Sequence, residues 1–141
     1  MNRPRARVLV TVTTLLALSS TACTEEDRAR VGDAVSSATA AAASRMGEIT
    51  DGVNATADVK AGPVRAEGGR TVADVTVTNP QDRNADYTIM VNFRNDGGDL
   101  LDSVVLNIGG VAPSTSKTGT ARSNRSLSGA TKAEIGQALR H

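Results

Sequence analysis

The chain has 141 residues, room for one ordinary domain, with 16 Lys and Arg against 15 Asp and Glu and a formal net charge of +1. Three of the positive charges, Arg3, Arg5 and Arg7, precede the first apolar run, so from Cys23 onward 13 basic residues face 15 acidic ones. That balance excludes electrostatically driven binding to nucleic acid, which needs a concentrated basic surface. Tyr87 and Phe93 are the only aromatics and Trp is absent, which argues against aromatic cages and base-stacking platforms.

Residues 1–22 have the layout of a secretory signal. Arg3, Arg5 and Arg7 form the basic start, residues 8–18 are apolar, and Ser19, Ser20, Thr21 and Ala22 are small. An apolar run of eleven residues is too short to span a bilayer. The next residue is Cys23, the only cysteine. The segment resembles a bacterial lipoprotein signal, whose lipobox ends in a cysteine that is diacylated and becomes the mature N-terminus. Ala22 and Thr21 suit the two positions before it, while Ser20 stands where Leu is usual. The resemblance implies lipid attachment at Cys23 and residence on the extracytoplasmic face of the cell membrane; the alternative is a secreted protein. Two acyl chains hold a protein where one is marginal. Lipidation would also consume the only thiol.

Residues 23–57 read as a lipid-anchored, Ala/Ser-rich tether. Val31, Val35, Ala38, Ala42, Met46 and Ile49 recur at spacings of three and four, a helical period, and acidic residues at the start suit the helix dipole. The stripe is thin because Ala supplies much of it, and such a helix is marginal alone. A partly helical, independent spacer is the expectation. In the competing picture the stripe docks on a sheet face and buries Val31, Val35, Met46 and Ile49.

Residues 58–141 form the expected β-domain. They hold nineteen Val, Ile, Leu, Met or Phe residues, twelve of them Val or Ile, a β-branched bias that favours strands. In 71–78, Ala73, Val75 and Val77 alternate with Asp74, Thr76 and Thr78. In 86–94, Tyr87, Ile89, Val91 and Phe93 share one face, with Thr88, Asn92 and Arg94 on the other. Period-two alternation indicates sheets with one buried and one wet side. Glu67-Gly68-Gly69-Arg70 and Asn95-Asp96-Gly97-Gly98 read as hairpin turns. A further strand is expected over 100–107, interrupted afterwards by Gly109-Gly110 and Pro113, and an edge strand over 116–123. The last segment is in conflict. Thr131 and Glu134 have capping-box spacing, which favours a helix, whereas a sandwich needs a final strand there; the strand is the expectation.

These readings predict a mainly β fold, a small antiparallel sandwich. Thr78-Asn79, the run Tyr87, Ile89, Val91, Phe93, the turn Gly97-Gly98 and Val111-Ala112-Pro113 resemble the small extracytoplasmic immunoglobulin-like domains of bacterial lipoproteins, in the broad manner of the FxLYD group. The resemblance implies a fold and names no ligand.

Residues that carry chemistry are few. His141 is the only imidazole, so neither a hydrolase triad nor a zinc site has its parts, and no cofactor-binding pattern occurs. Asp96, Asp99 and Asp102 lack the spacing of a calcium loop, and Arg122, Arg125 and Arg140 read as solvated charge. The expected function is non-enzymatic: a lipid-anchored envelope protein presenting a β-sandwich as a binding module for an unknown ligand, an envelope protein among the candidates, with the membrane itself engaged through Cys23. The alternative is a passive spacer of the envelope.

Overall fold

The computed structural model describes residues 25–141. It begins with one helix, α1 (Glu25–Gly47), with Glu25, Glu26 and Asp27 in the first turn and Arg45 in the last. Charges so placed oppose the helix dipole. Seven strands follow: β1 (Val53–Asn54), β2 (Val59–Glu67), β3 (Arg70–Thr78), β4 (Ala85–Arg94), β5 (Leu100–Val111), β6 (Ser116–Arg122) and β7 (Lys132–Arg140), with a single 3₁₀ turn at Thr56–Asp58 between β1 and β2.

The strands form two antiparallel sheets, one ordered β1-β7-β4-β5 and the other β2-β3-β6. The fold is a small β-sandwich. From β3 the chain crosses to the first sheet for the β4–β5 hairpin, crosses back for β6, and returns as β7 beside β4. This is the wiring of strands B, C, C′, E and F in an immunoglobulin sandwich, with β1 at the edge beside the last of them.

Alternation places the core. Ala73, Val75 and Val77 from β3 meet Tyr87, Ile89, Val91 and Phe93 from β4, with Val104, Ile108 and Val111 from β5, Ala121 from β6 and Ala138 from β7. The faces expected for 71–78 and 86–94 are the faces observed. The β2–β3 turn holds Gly68 at φ +56° and Gly69 at φ +72° between the paired residues Glu67 and Arg70. Two positive φ values in a two-residue loop match the twist of the flanking strands. The final segment is a strand: β7 pairs along β4 from Lys132 to Arg140, and central sheet pairing overrides the capping-box signal.

Three expectations change. The strand expected to stop near 107 runs on to Val111. Gly110, at φ +64°, lies at the irregularity opposite 85–87 and keeps the ladder going. The sheet also starts before 58, since Val53 pairs with Arg140 and Asn54 with Leu139, and Ala55 is buried.

The third concerns the spacer. α1 is one continuous helix, about 35 Å long, and it packs along β5 and β4. Ala42 and Met46 are buried, Val35 and Ile49 are half-buried, and Val31 is 47% exposed. The C-terminal half of α1 is therefore docked. The docked face is the C-terminal part of the expected stripe, with Val31 left outside it: alanine lets the helix backbone come close to the strand, and Met46 fills what remains.

Candidate functional site

Cys23, the expected lipid-attachment residue, lies outside the described residues. The described residues open with α1, so the docked helix is the element that would connect an acyl anchor to the sandwich. Among the described residues no helix is long and apolar enough to cross a membrane.

The three aspartates singled out above separate. Asp96 and Asp99 sit at the β4–β5 turn, where Asp99 accepts from the Asn95 side-chain amide at 3.0 Å. Asp102 is buried, at 1% exposure. Its carboxylate accepts from the Asn124 backbone N–H at 2.7 Å, the Asn124 side-chain amide at 3.1 Å and the Ser103 N–H at 3.0 Å. This carboxylate ties the segment after β6 to β5 and so clips the two sheets together at one edge. Among the described residues no three His, Cys, Asp or Glu come close enough to hold a metal.

The three arginines separate as well. Arg122 reaches the Glu67 carboxylate at 2.6 Å, Arg125 donates to the Leu101 carbonyl at 2.7 Å, and Arg140 pairs with Asp58 at 2.9 Å. Each has a local partner, and no shared basic patch results. His141 lies at the end of the first sheet, pairing its backbone with Asp86 in both directions and placing Nε2 3.1 Å from the Thr88 hydroxyl.

Around His141 a cleft of about 560 Å³ is lined by Asp51, Val53, Arg83, Arg140 and His141, with Asn84 and Ala85. Its lining offers cationic, anionic and hydrogen-bonding groups and one exposed apolar side chain, Val53 at 57% exposure. Polar recognition is the chemistry such a lining suits. A smaller cleft, about 160 Å³, opens between α1 and β5, with Arg45 and Arg122 among its walls and Ala38, Ala41, Ala42, Val104 and Val105 supplying apolar surface.

The outer face of the second sheet is a polar ladder. Thr76 and Thr118 share a hydrogen bond at 2.9 Å, Thr78 and Ser116 one at 2.8 Å, and the Thr120 hydroxyl donates to Asp74 at 2.8 Å. Arg65 pairs with Asp74 at 3.0 Å. The Thr120 hydroxyl first, and Arg65 next, hold the Asp74 carboxyl below its ordinary pKa, while the bond to Asp74 raises that of Arg65. On the first sheet the Glu134 carboxyl is lowered, chiefly by Lys132 at 2.6 Å and then by Arg94 at 2.8 Å.

Three of the segments singled out in the sequence, at Asn79, Tyr87 and Val111, meet at one buried side chain. Asn79, fully buried, donates from Nδ2 to the carbonyls of Arg83 at 2.8 Å and Val111 at 2.9 Å. Its Oδ1 accepts from the Gln81 N–H at 3.0 Å and the Tyr87 hydroxyl at 3.5 Å, and its backbone N–H donates to the Thr115 carbonyl at 2.9 Å. One amide thus gathers the loop after β3, the start of β4 and the end of β5. Asn79, Tyr87 and Val111 close one end of the sandwich together. Sequence reasoning registered Asn79 only as a turn residue, and the signal for more was its place between an alternating strand and a polar loop.

Compared with known proteins, the chain matches no family model, no curated protein and no solved structure.

Proposed function

We propose that the chain is a lipid-anchored protein of the cell envelope that presents its β-sandwich, with α1 docked against it, as a binding module on the extracytoplasmic side of the membrane. The observation that carries this reading is the order of parts: a basic, then apolar, then small-residue leader, Cys23, and a helix that starts at Glu25 and reaches the sandwich. The convergence of Thr78-Asn79, Tyr87 and Val111 on one buried amide supports kinship with the immunoglobulin-like domains of bacterial lipoproteins. The cleft beside His141 is the surface we assign to recognition, because charged and polar groups and Val53 converge there.

A second reading, a passive envelope spacer, draws on a different observation. Val31 and Val53 are the exposed large hydrophobics among the described residues, and two scattered side chains make no apolar docking patch.

Detergent phase partition of the wild type beside Cys23→Ala tests the anchor. The wild type is expected in the detergent phase and with the membrane pellet, and the variant in the aqueous phase. Identical partition of the two proteins would overturn lipid attachment. Arg83→Ala, in the proposed recognition cleft, is expected to leave partition unchanged, which separates the anchor from the cleft.

A further inference from the structure

The first sheet ends on β7, and β1 covers only part of that edge. β1 pairs with Arg140 and Leu139, and the Ala55 N–H donates to the Ala138 carbonyl at 2.9 Å. The chain then turns at Thr56–Asp58 and leaves for β2. Among the described residues no strand lies beside 132–137 on the side away from β4.

The other sheet edges carry devices against strand pairing. β2 is irregular between Ala61 and Val64, around Pro63, which has no N–H to offer. α1 packs along β5. The Lys117 ammonium on β6 crosses to the Gly109 carbonyl of β5 at 2.6 Å. Residues 132–137 have no proline and, among the described residues, no covering helix; β2 of the other sheet lies near β7, and the one irregularity of this edge is at Gly136, where β7 shifts register against β4. Apolar side chains at this margin are also only partly buried: Ala133 and Ile135 on β7, Val64 on β2, and Leu127. A bare strand edge beside an incompletely covered core margin is a template for strand addition.

The charges on this edge select the added strand. Lys132 and Glu134 are two residues apart and so project from one face, with Nζ and Oε1 2.6 Å apart. Suppose a second β7 pairs antiparallel with the first about a two-fold axis. An axis at residue 132 sets Lys132 opposite Lys132, and an axis at 134 sets Glu134 opposite Glu134; like charges directly opposite are destabilising. An axis at 135 brings residue 132 opposite Ala138, whose edge is already taken by Ala55. An axis at Ala133 sets Lys132 of each copy opposite Glu134 of the other, and the overlap, 131–135, ends before the irregularity at Gly136 and short of β1. The edge is self-complementary in that register, as an isologous contact requires.

We propose that this edge of β7 is a homodimer interface, in which two copies of the chain pair antiparallel through 131–135 and join their first sheets into one. The dimer is held by main-chain bonds, by two reciprocal Lys132–Glu134 pairs, and by mutual covering of Ala133 and Ile135.

Sedimentation equilibrium of the full chain, in detergent matched to the solvent density, tests this. The wild type is expected at about twice the monomer mass, and Lys132→Glu and Glu134→Lys are each expected as monomers. An equal mixture of the two variants is expected to recover the doubled mass, since the first carries acid at both positions, the second carries base at both, and each acid then faces a base. Far-UV circular dichroism establishes that the variants are folded; Lys132→Asp and Glu134→Arg replace any that is not. A monomeric wild type at every concentration, a dimer that survives either single substitution, or a mixture that stays monomeric would each overturn the proposal.

Discussion

Asn79 and Asn92 show how differently one residue type can act in this sandwich. Asn79 is fully buried and its side-chain amide bonds three separate segments. Replacing it with Ala strands the buried Val111 carbonyl and takes a partner from the part-buried Arg83 carbonyl and Gln81 N–H, and an unpaired buried group costs about 1–3 kcal/mol. Asn92 lies half-buried on the opposite face of β4 from Phe93 and accepts one bond, from the Ser103 hydroxyl at 2.7 Å. We expect Asn79→Ala to cost about 3 kcal/mol or more and Asn92→Ala about 1 kcal/mol, read as denaturant midpoints at constant m-value. Equal losses would contradict the assignment of Asn79 as the closure of the sandwich. None of this partnership was legible in the sequence. Asn79 announces a turn, but a side chain that bonds carbonyls 32 residues away leaves no periodic trace. Asp102 is the same case. Its spacing from Asp96 and Asp99 suggests a charged turn, whereas the fold turns it inward to meet Asn124.

At the scale of elements, the strands with clean alternation, β3 and β4, were legible with their faces, as were both glycine turns. β2 was not, because Gly62 and Pro63 interrupt it; an edge strand tolerates Pro at a bulge where a central strand would not. β7 was ambiguous because the spacing of Thr131 and Glu134 satisfies a local helical rule, while its pairing with β4 is a contact between residues some forty positions apart. The polar ladder on the second sheet couples elements and gives a pH prediction. Asp74 on β3 bonds Thr120 on β6 and Arg65 on β2, and its carboxyl is held below its ordinary pKa. A carboxylate of lowered folded-state pKa stabilises the fold above its unfolded pKa, and that contribution is lost as pH falls through the folded value. Wild type should therefore melt above Asp74→Asn at neutral pH, with the difference closing below about pH 4. Melting curves across that range check it. A difference that stayed constant into acid would mean that the bond to Arg65 contributes nothing through charge.

For the whole molecule, the consequential feature is that α1 is not a loose tether. Its period was legible and its docking was not, since alanines at helical spacing serve equally for a free helix and for one packed closely on a strand. Whether the face above β5 is covered decides which surfaces the sandwich can present. A docked helix covers part of the first sheet and leaves the His141 cleft, the β7 edge and the polar outer face of the second sheet accessible. Cys23, the proposed lipid-attachment residue, precedes the described residues.

Limited trypsin digestion of the full chain, followed by mass spectrometry, tests the docked helix most directly. Arg28 and Arg30 lie in the exposed first half of α1, and Arg45 lies beside the buried Met46. Proteolysis requires local unfolding of the cut segment, so packing protects Arg45 even though its side chain reaches solvent. The account predicts early cleavage after Arg28 or Arg30 and a persistent fragment that retains Ala42 and Met46. Cleavage after Arg45 at the same rate, leaving a fragment that starts at Met46 and melts where the intact chain melts, would contradict it.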